Sequence, residues 1–89
     1  MVNVDFNRTP NPNAGKFVVG RPVVEGKASK SFFNAGQAAG TPVAEALFAL
    51  DGVASIFMVE DFITVTKVAD ADWSELAPRV IETIAANVD

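Results

Sequence analysis

The stretch from Thr41 to Lys67, TPVAEALFALDGVASIFMVEDFITVTK, decides the fold. It reads as one helix, a sharp stop and a β-hairpin, with the rest of the chain packed on or beside them. Thr41 is placed to cap a helix, because its side-chain oxygen can accept from a free amide of the first turn. Pro42 follows at the first helical position, where a missing N–H costs nothing. Val43, Ala46, Leu47 and Leu50 fall on one stripe at helical spacing. Gly52 supplies the left-handed residue that ends the helix. Two β-rich runs come next, Val53 to Val59 and Phe62 to Val68. In the second, Ile63 and Val65 share one face, and Phe62, Thr64 and Thr66 share the other. Glu60-Asp61 is not an Asn-Gly turn, since neither residue favours positive φ. The pattern therefore predicts a looser connection, with Val59 drawn into it.

Towards the N-terminus, Val2, Val4 and Phe6 alternate with Asn3, Asp5 and Asn7, the period of a half-buried strand. Thr9-Pro10-Asn11-Pro12-Asn13 breaks any regular element and reads as a rigid turn. Lys16 to Gly20 is a short β-run that pairs with the first strand, and Arg21-Pro22 ends it or places it at an edge. Val23 and Val24 can continue it after a kink. Glu25 to Lys30 reads as loop, Ser31-Phe32-Phe33 as a third short strand, and Asn34 to Gly40 as a loop or frayed turn.

Towards the C-terminus, Asp72 followed by Glu75 is a D-x-x-E form of the capping box. Trp73, Leu76, Val80, Ile84 and Val88 then recur at helical spacing. Pro78 removes a backbone bond if this helix begins at Trp73. Either residues 73–76 form a tight first turn, or the helix proper starts near Ala77. The whole order predicts an α+β two-layer sandwich: a mostly antiparallel sheet of four to five strands with two helices on one face. The exposed face is the one bearing Thr64 and Thr66.

Eighty-nine residues are read as one domain, residues 1–89. A chain of this size buries roughly 60–65% of the surface its unfolded form exposes. No apolar run approaches the roughly 18–20 residues of a membrane span. MVNVDFNRT lacks the basic flank and apolar core of a signal peptide, which makes the cytoplasm the expected compartment. There is no cysteine and no histidine. That removes disulfides, thiolate chemistry, zinc fingers and Ser-His or Cys-His catalysis. It also leaves no usual ligand for an iron–sulfur cluster.

The net charge of −4 is uneven. Residues 1–30 carry five basic side chains against Asp5 and Glu25, whereas residues 31–89 carry Lys67 and Arg79 against nine acids. Such polarity either solvates the surface or steers the molecule towards a partner. Five scattered cations among acids are a poor nucleic-acid footprint.

Residue chemistry specifies a small packed domain with no visible reaction centre and no cofactor site. Glu60-Asp61 reads either as a weak cation site or as a solvated turn, and Asp70, Asp72 and Glu75 either as ligands or as helix-capping acids. The serines have only lysines as conceivable bases, without a supporting motif. The glycines form no phosphate loop. Trp73 on an apolar helix face is read as core. Phe32 and Phe33 are adjacent, so a strand points one of them outward, as edge cover or as a partner contact. The Pro-Asn turn is the loop best suited to binding, with Arg8, Asn11, Asn13 and Lys16 as candidate donors to a partner. The other reading is a hairpin turn locked by proline and Asx bonds.

Three stretches together carry a resemblance: TPNPNAGKFVVG at 9–20, PVAEALFALDGV at 42–53 and IFMVEDFITVTK at 56–67, with DWSELAP at 72–78 in agreement. This combination resembles the N-terminal domain of the Nfu (NifU-like) iron–sulfur scaffold proteins over nearly the whole chain. In that family a C-x-x-C motif in a separate C-terminal domain binds the cluster. The resemblance implies a free-standing copy of the non-ligating domain. It also implies a role in cluster assembly or delivery through contacts with iron–sulfur assembly or recipient proteins, rather than catalysis. Two positions depart from the family pattern: Gly15 stands where a larger apolar residue is usual, and Val59-Glu60 replaces a Gly-containing hairpin tip. The alternative function is a general peptide- or protein-binding module, with an exposed strand edge near Phe32-Phe33 adding a peptide strand.

Overall fold

Alternating and continuous β-rich runs build five strands, and helical spacing builds two helices, in the computed structural model described here over residues 3–24 and 29–88. In chain order these are β1 (Asp5–Arg8), β2 (Ala14–Val18), β3 (Ser29–Phe32), α1 (Pro42–Phe48), β4 (Val53–Val59), β5 (Phe62–Lys67) and α2 (Trp73–Asn87). The strands form one sheet in the order β1-β2-β5-β4-β3, and every neighbouring pair is antiparallel. The expected α+β sandwich is therefore the observed one.

The parity of each strand decides which side chains meet the helices. Phe17 and Val19 on β2 and its extension, Ile63 and Val65 on β5, and Ile56 and Met58 on β4 are buried. They pack in one core with Val43, Ala44 and Leu47 of α1 and with Trp73, Leu76, Ala77, Val80 and Ile84 of α2. Burying one such aliphatic or aromatic side chain stabilises the fold by about 1.5–3 kcal/mol. Phe6, Phe17 and Trp73 stack at one end, with ring centroids 5.0 Å, 5.2 Å and 5.8 Å apart. Gly15 makes this cluster possible. A Cβ there would lie 2.5 Å from Phe6 Cε1 and 3.0 Å from Trp73 Cζ2. Here the space a larger apolar residue would take is filled by the two rings.

Several boundaries differ from the expectations. Val2 and residues 25–28 lie outside the described residues. The first strand begins at Asp5 and runs on to Arg8, with Val4 buried just before it. The second starts at Ala14, ahead of Lys16, and stops at Val18, so Val23 and Val24 do not extend it. The third starts at Ser29, inside the stretch read as loop, with Phe32 inward and Phe33 69% exposed.

Thr41 holds the N-cap position of α1 but its side chain makes no capping bond. Pro42 leaves the Val43 and Ala44 amides, the usual partners of a cap, in place, and the bond at this end is made by the Thr41 carbonyl, which accepts from Glu45 N–H at 2.9 Å. The helix closes at Phe48, four residues before Gly52, with Ala49 N–H donating back to the carbonyls of Glu45 and Ala46. Gly52 is left-handed as expected, at φ +103°, but it shapes the turn into β4 rather than the helix end. On α2, Asp72 Oδ1 accepts from Ser74 N–H at 2.9 Å. The helix runs unbroken from Trp73 through Pro78. Pro78 lies in the second turn, where its missing N–H removes one bond that would have reached the Ser74 carbonyl.

Candidate interaction surface

Residues 9–13 are locked by their own side chains. Thr9 Oγ1 lies 2.9 Å from both the Asn11 and the Ala14 carbonyls and accepts from Asn11 N–H at 3.2 Å. Asn11 Oδ1 accepts from Asn13 N–H at 2.9 Å, the Asx bond that the residue type favours. Ala14 N–H closes the turn on the Asn11 carbonyl at 3.0 Å.

Three further bonds tie the turn to distant elements. Trp73 Nε1–H donates to the Pro12 carbonyl at 3.0 Å. Lys67 N–H donates to the Asn13 carbonyl at 2.7 Å. Lys67 Nζ donates to Asn13 Oδ1 at 3.0 Å and to the Val68 carbonyl at 3.4 Å. Lys67 is 8% exposed, and this pairing places its ammonium against amide oxygens.

The four candidate residues do not converge. Asn11 is exposed at the tip, whereas Asn13 is half-buried and its carboxamide oxygen is occupied by Lys67. Arg8 lies opposite Gly15 in the inward-facing row, its guanidinium carbon 6.0 Å from the Phe6 ring centroid. Lys16 lies on the opposite face, paired across from Thr64, with Nζ 4.4 Å above the Phe62 ring. Two consecutive cations along the chain thus serve different faces. Lys67, Phe57 and Phe62 carry the remaining features of this region. Their positions became visible only once β2 was paired with β5.

The acids behave as exposed capping and turn residues. The Asp72 carboxyl is held below its ordinary pKa, chiefly by the Ser74 backbone N–H, then by the Ser74 side chain, with smaller help from Lys67 and Arg8. Among the described residues, no group of three or more acidic or other metal-ligating side chains is placed to hold a metal ion. An open cavity of about 310 Å³ lies between the α1–β4 turn and the start of α2, where Asp51, Asp70, Asp72 and Glu75 line its rim.

The sheet order, the helix pair and the locked Pro-Asn turn can be set beside known proteins. The family model described as scaffold protein Nfu/NifU N terminal matches residues 4–89. The chain belongs to this Nfu/NifU N-terminal family. It is 44% identical over 77 residues to the human NFU1 iron-sulfur cluster scaffold homolog, mitochondrial, covering 85% of this chain and 30% of that protein. It is 40% identical over 81 residues to NifU-like protein 4, mitochondrial, of Arabidopsis thaliana, covering 91% and 28% respectively.

The chain thus spans less than a third of the length of these curated relatives. Among solved structures, the crystal structure of Staphylococcus aureus protein SAV1430 superposes with a TM-score of 0.80 at 30% identity, covering 94% of this chain and 99% of that one. A NifU-like protein from Saccharomyces cerevisiae shares the fold, with a TM-score of 0.85 at 24% identity, over 97% of this chain and 77% of that one. None of the described helices of this Nfu/NifU N-terminal chain is long and apolar enough to cross a membrane.

Proposed function

We propose that this chain is a non-catalytic accessory protein of iron–sulfur cluster assembly or delivery, acting through protein–protein contacts and without cluster ligands of its own. The observation that carries this reading is family membership over residues 4–89, in a family whose description names a scaffold protein. The human relative's name adds the iron–sulfur cluster to it. The 89 residues contain neither cysteine nor histidine, the side chains that ordinarily hold such clusters. The chain acts here as one domain, residues 1–89, with iron–sulfur assembly or recipient proteins as its partners and the cytoplasm as its compartment. Its contact surface comprises Asn11 at the turn tip and Lys16 on the adjoining strand, with Arg8 at the rim and Asn13 holding the turn in shape.

Affinity capture from the protein's own cell extract, with bound proteins identified by mass spectrometry, tests the reading. The expected result is enrichment of cluster scaffolds or iron–sulfur apoproteins, lost when Asn11→Ala and Lys16→Ala are combined. Retention of every partner by the double variant removes this surface from the proposal. Capture of unrelated proteins alone overturns the iron–sulfur role. It would favour the peptide-binding alternative, which has the β3 edge and the exposed Phe33 on its side. Cell fractionation checks the compartment against the mitochondrial location that the relatives' names carry.

A further inference from the structure

We infer that the open face of the sheet docks the amphipathic helix of a partner protein, its apolar side on Phe57 and Phe62 and a flanking carboxylate on Lys16. The inference rests on the reading that the chain works by protein contacts, and it names the chemistry of the partner segment. Both helices pack on one side of the sheet. The other side carries Val18, Phe62 and Val59 in one cross-strand row and Lys16, Thr64 and Phe57 in the next. Phe57 is 39% exposed, and Phe33, the residue after inward-facing Phe32, stands at the β3 border. A cross-strand aromatic and aliphatic patch on a sheet face that neither helix covers is the kind of surface that partners bury.

Two observations select the occupant. First, β2, β5 and β4 are each hydrogen-bonded on both sides, so this face offers side chains and no unpaired backbone. A strand has nothing to add to there, whereas a helix packs by side chains, as α1 and α2 do on the opposite face. Second, charge is divided between the two layers. The helix side carries Glu45, Glu75 and Glu82, with Asp51, Asp70 and Asp72 at the helix ends, against Arg79 and, on the sheet beneath, Arg8, Lys30 and Lys67, so acids still outnumber cations there. On the open face the cation Lys16 sits over Phe62, with Asn7 across from it, while among the described residues of these two rows the acid is Asp5, paired with Val18 at the β1 border. An acidic segment is repelled by the helix layer and drawn to Lys16. The ammonium over a ring keeps donors for a carboxylate.

The test replaces Phe57, Asn11 or Glu82, one at a time, with the photo-reactive p-benzoylphenylalanine in the full chain inside cells. Adducts are sequenced by tandem mass spectrometry. The expected result is an adduct at Phe57, none at Glu82, and a cross-linked segment that is helical, apolar on one side and flanked by Asp or Glu. Lys16→Glu lowers its yield about tenfold, equivalent to about 1.4 kcal/mol, and Lys16→Arg retains it. Adducts at Phe57 with a second copy of this chain, with a basic segment, or with undiminished yield in Lys16→Glu overturn the inference. Adducts with iron–sulfur proteins through Asn11 but not Phe57 overturn this face and leave the functional reading standing. Adducts at Phe57 with acidic helices of proteins unconnected with clusters support the face and overturn the functional reading.

Discussion

Two turns of the same sheet solve the same problem by different means. The Thr9–Asn13 turn joins β1 to β2 and is held by side chains, its own and those of Lys67 and Trp73. The Glu60-Asp61 turn joins β4 to β5 and is held by backbone. Val59 and Phe62 face each other, so only two residues lie between the strands, and Glu60 takes a positive φ of 49°. The looser connection expected there does not form. Its carbonyls are taken by neighbours: Val19 N–H donates to the Asp61 carbonyl and Val23 N–H to the Glu60 carbonyl, both at 2.8 Å. A turn whose residues suit it carries its own geometry. A turn whose residues do not suit it can be imposed by the segment packed against it.

The largest break in this comparison comes from removing the anchor of the first turn. Trp73 is 4% exposed, packs against Phe6 and Phe17, and donates to Pro12. Trp73→Ala is expected to cost about 3–5 kcal/mol, as for other large-to-small changes in a core. Trp73→Phe keeps most of the ring and loses the hydrogen bond, with an expected cost nearer 1 kcal/mol from that bond alone. Urea unfolding of both variants separates the packing contribution from the tether. Equal losses would mean that the hydrogen bond, not the ring, holds the two elements together.

A smaller break comes from Lys67→Met, which keeps a long apolar stem and removes the ammonium. Two effects oppose. The variant no longer desolvates a charge, and it leaves Asn13 Oδ1 without its donor. Since Asn13 is only half-buried, water can replace that donor. The net expectation is about 0.5–1.5 kcal/mol of destabilisation. A double-mutant cycle with Asn13→Ala reads the pair directly, and a coupling indistinguishable from zero would show that the backbone bond between the same two residues suffices.

The same pair shows where reading the chain in order stopped short. Element identities were legible because each depends on local sequence: a β-rich run for β4, a β-rich run with alternating faces for β5, helical spacing for α2, and Asp72 with Glu75 for its start. The Pro-Asn turn was legible for the same reason. The burial of Lys67 was not. Asn13 and Lys67 are 54 residues apart, and Pro12 and Trp73 are 61 apart. They meet because β2 pairs with β5 rather than only with its chain neighbour. The candidate surface was half legible. Arg8, Asn11, Asn13 and Lys16 do flank one turn, but β2 begins at Ala14, and strand alternation from there sends Lys16 to the open face. Thr41 is the opposite case. The residue type was right for a cap and Thr41 does hold the cap position, but its side chain makes no capping bond.

The smallest effect sharpens the comparison instead of breaking it, and it has the opposite sign. Glu60 holds a left-handed conformation that costs an L-residue roughly 1–2 kcal/mol. Glycine adopts that conformation freely but loses roughly 0.5–1 kcal/mol more on ordering than a residue with a side chain. The difference leaves Glu60→Gly more stable by roughly 0.7 kcal/mol, the middle of a range from zero to about 1.5 kcal/mol, although it removes a carboxylate from an exposed tip. If the turn is imposed by Val19 and Val23, as the two backbone bonds indicate, the substitution changes stability without changing the register of β4 and β5. Cross-strand nuclear Overhauser contacts between Val59 and Phe62 would then be the same in both proteins, while the denaturation midpoint rises. An unchanged or lower midpoint would mean that Glu60 carries no strain there. A shifted register would mean that Glu60 itself, and not the segment beside it, sets the turn.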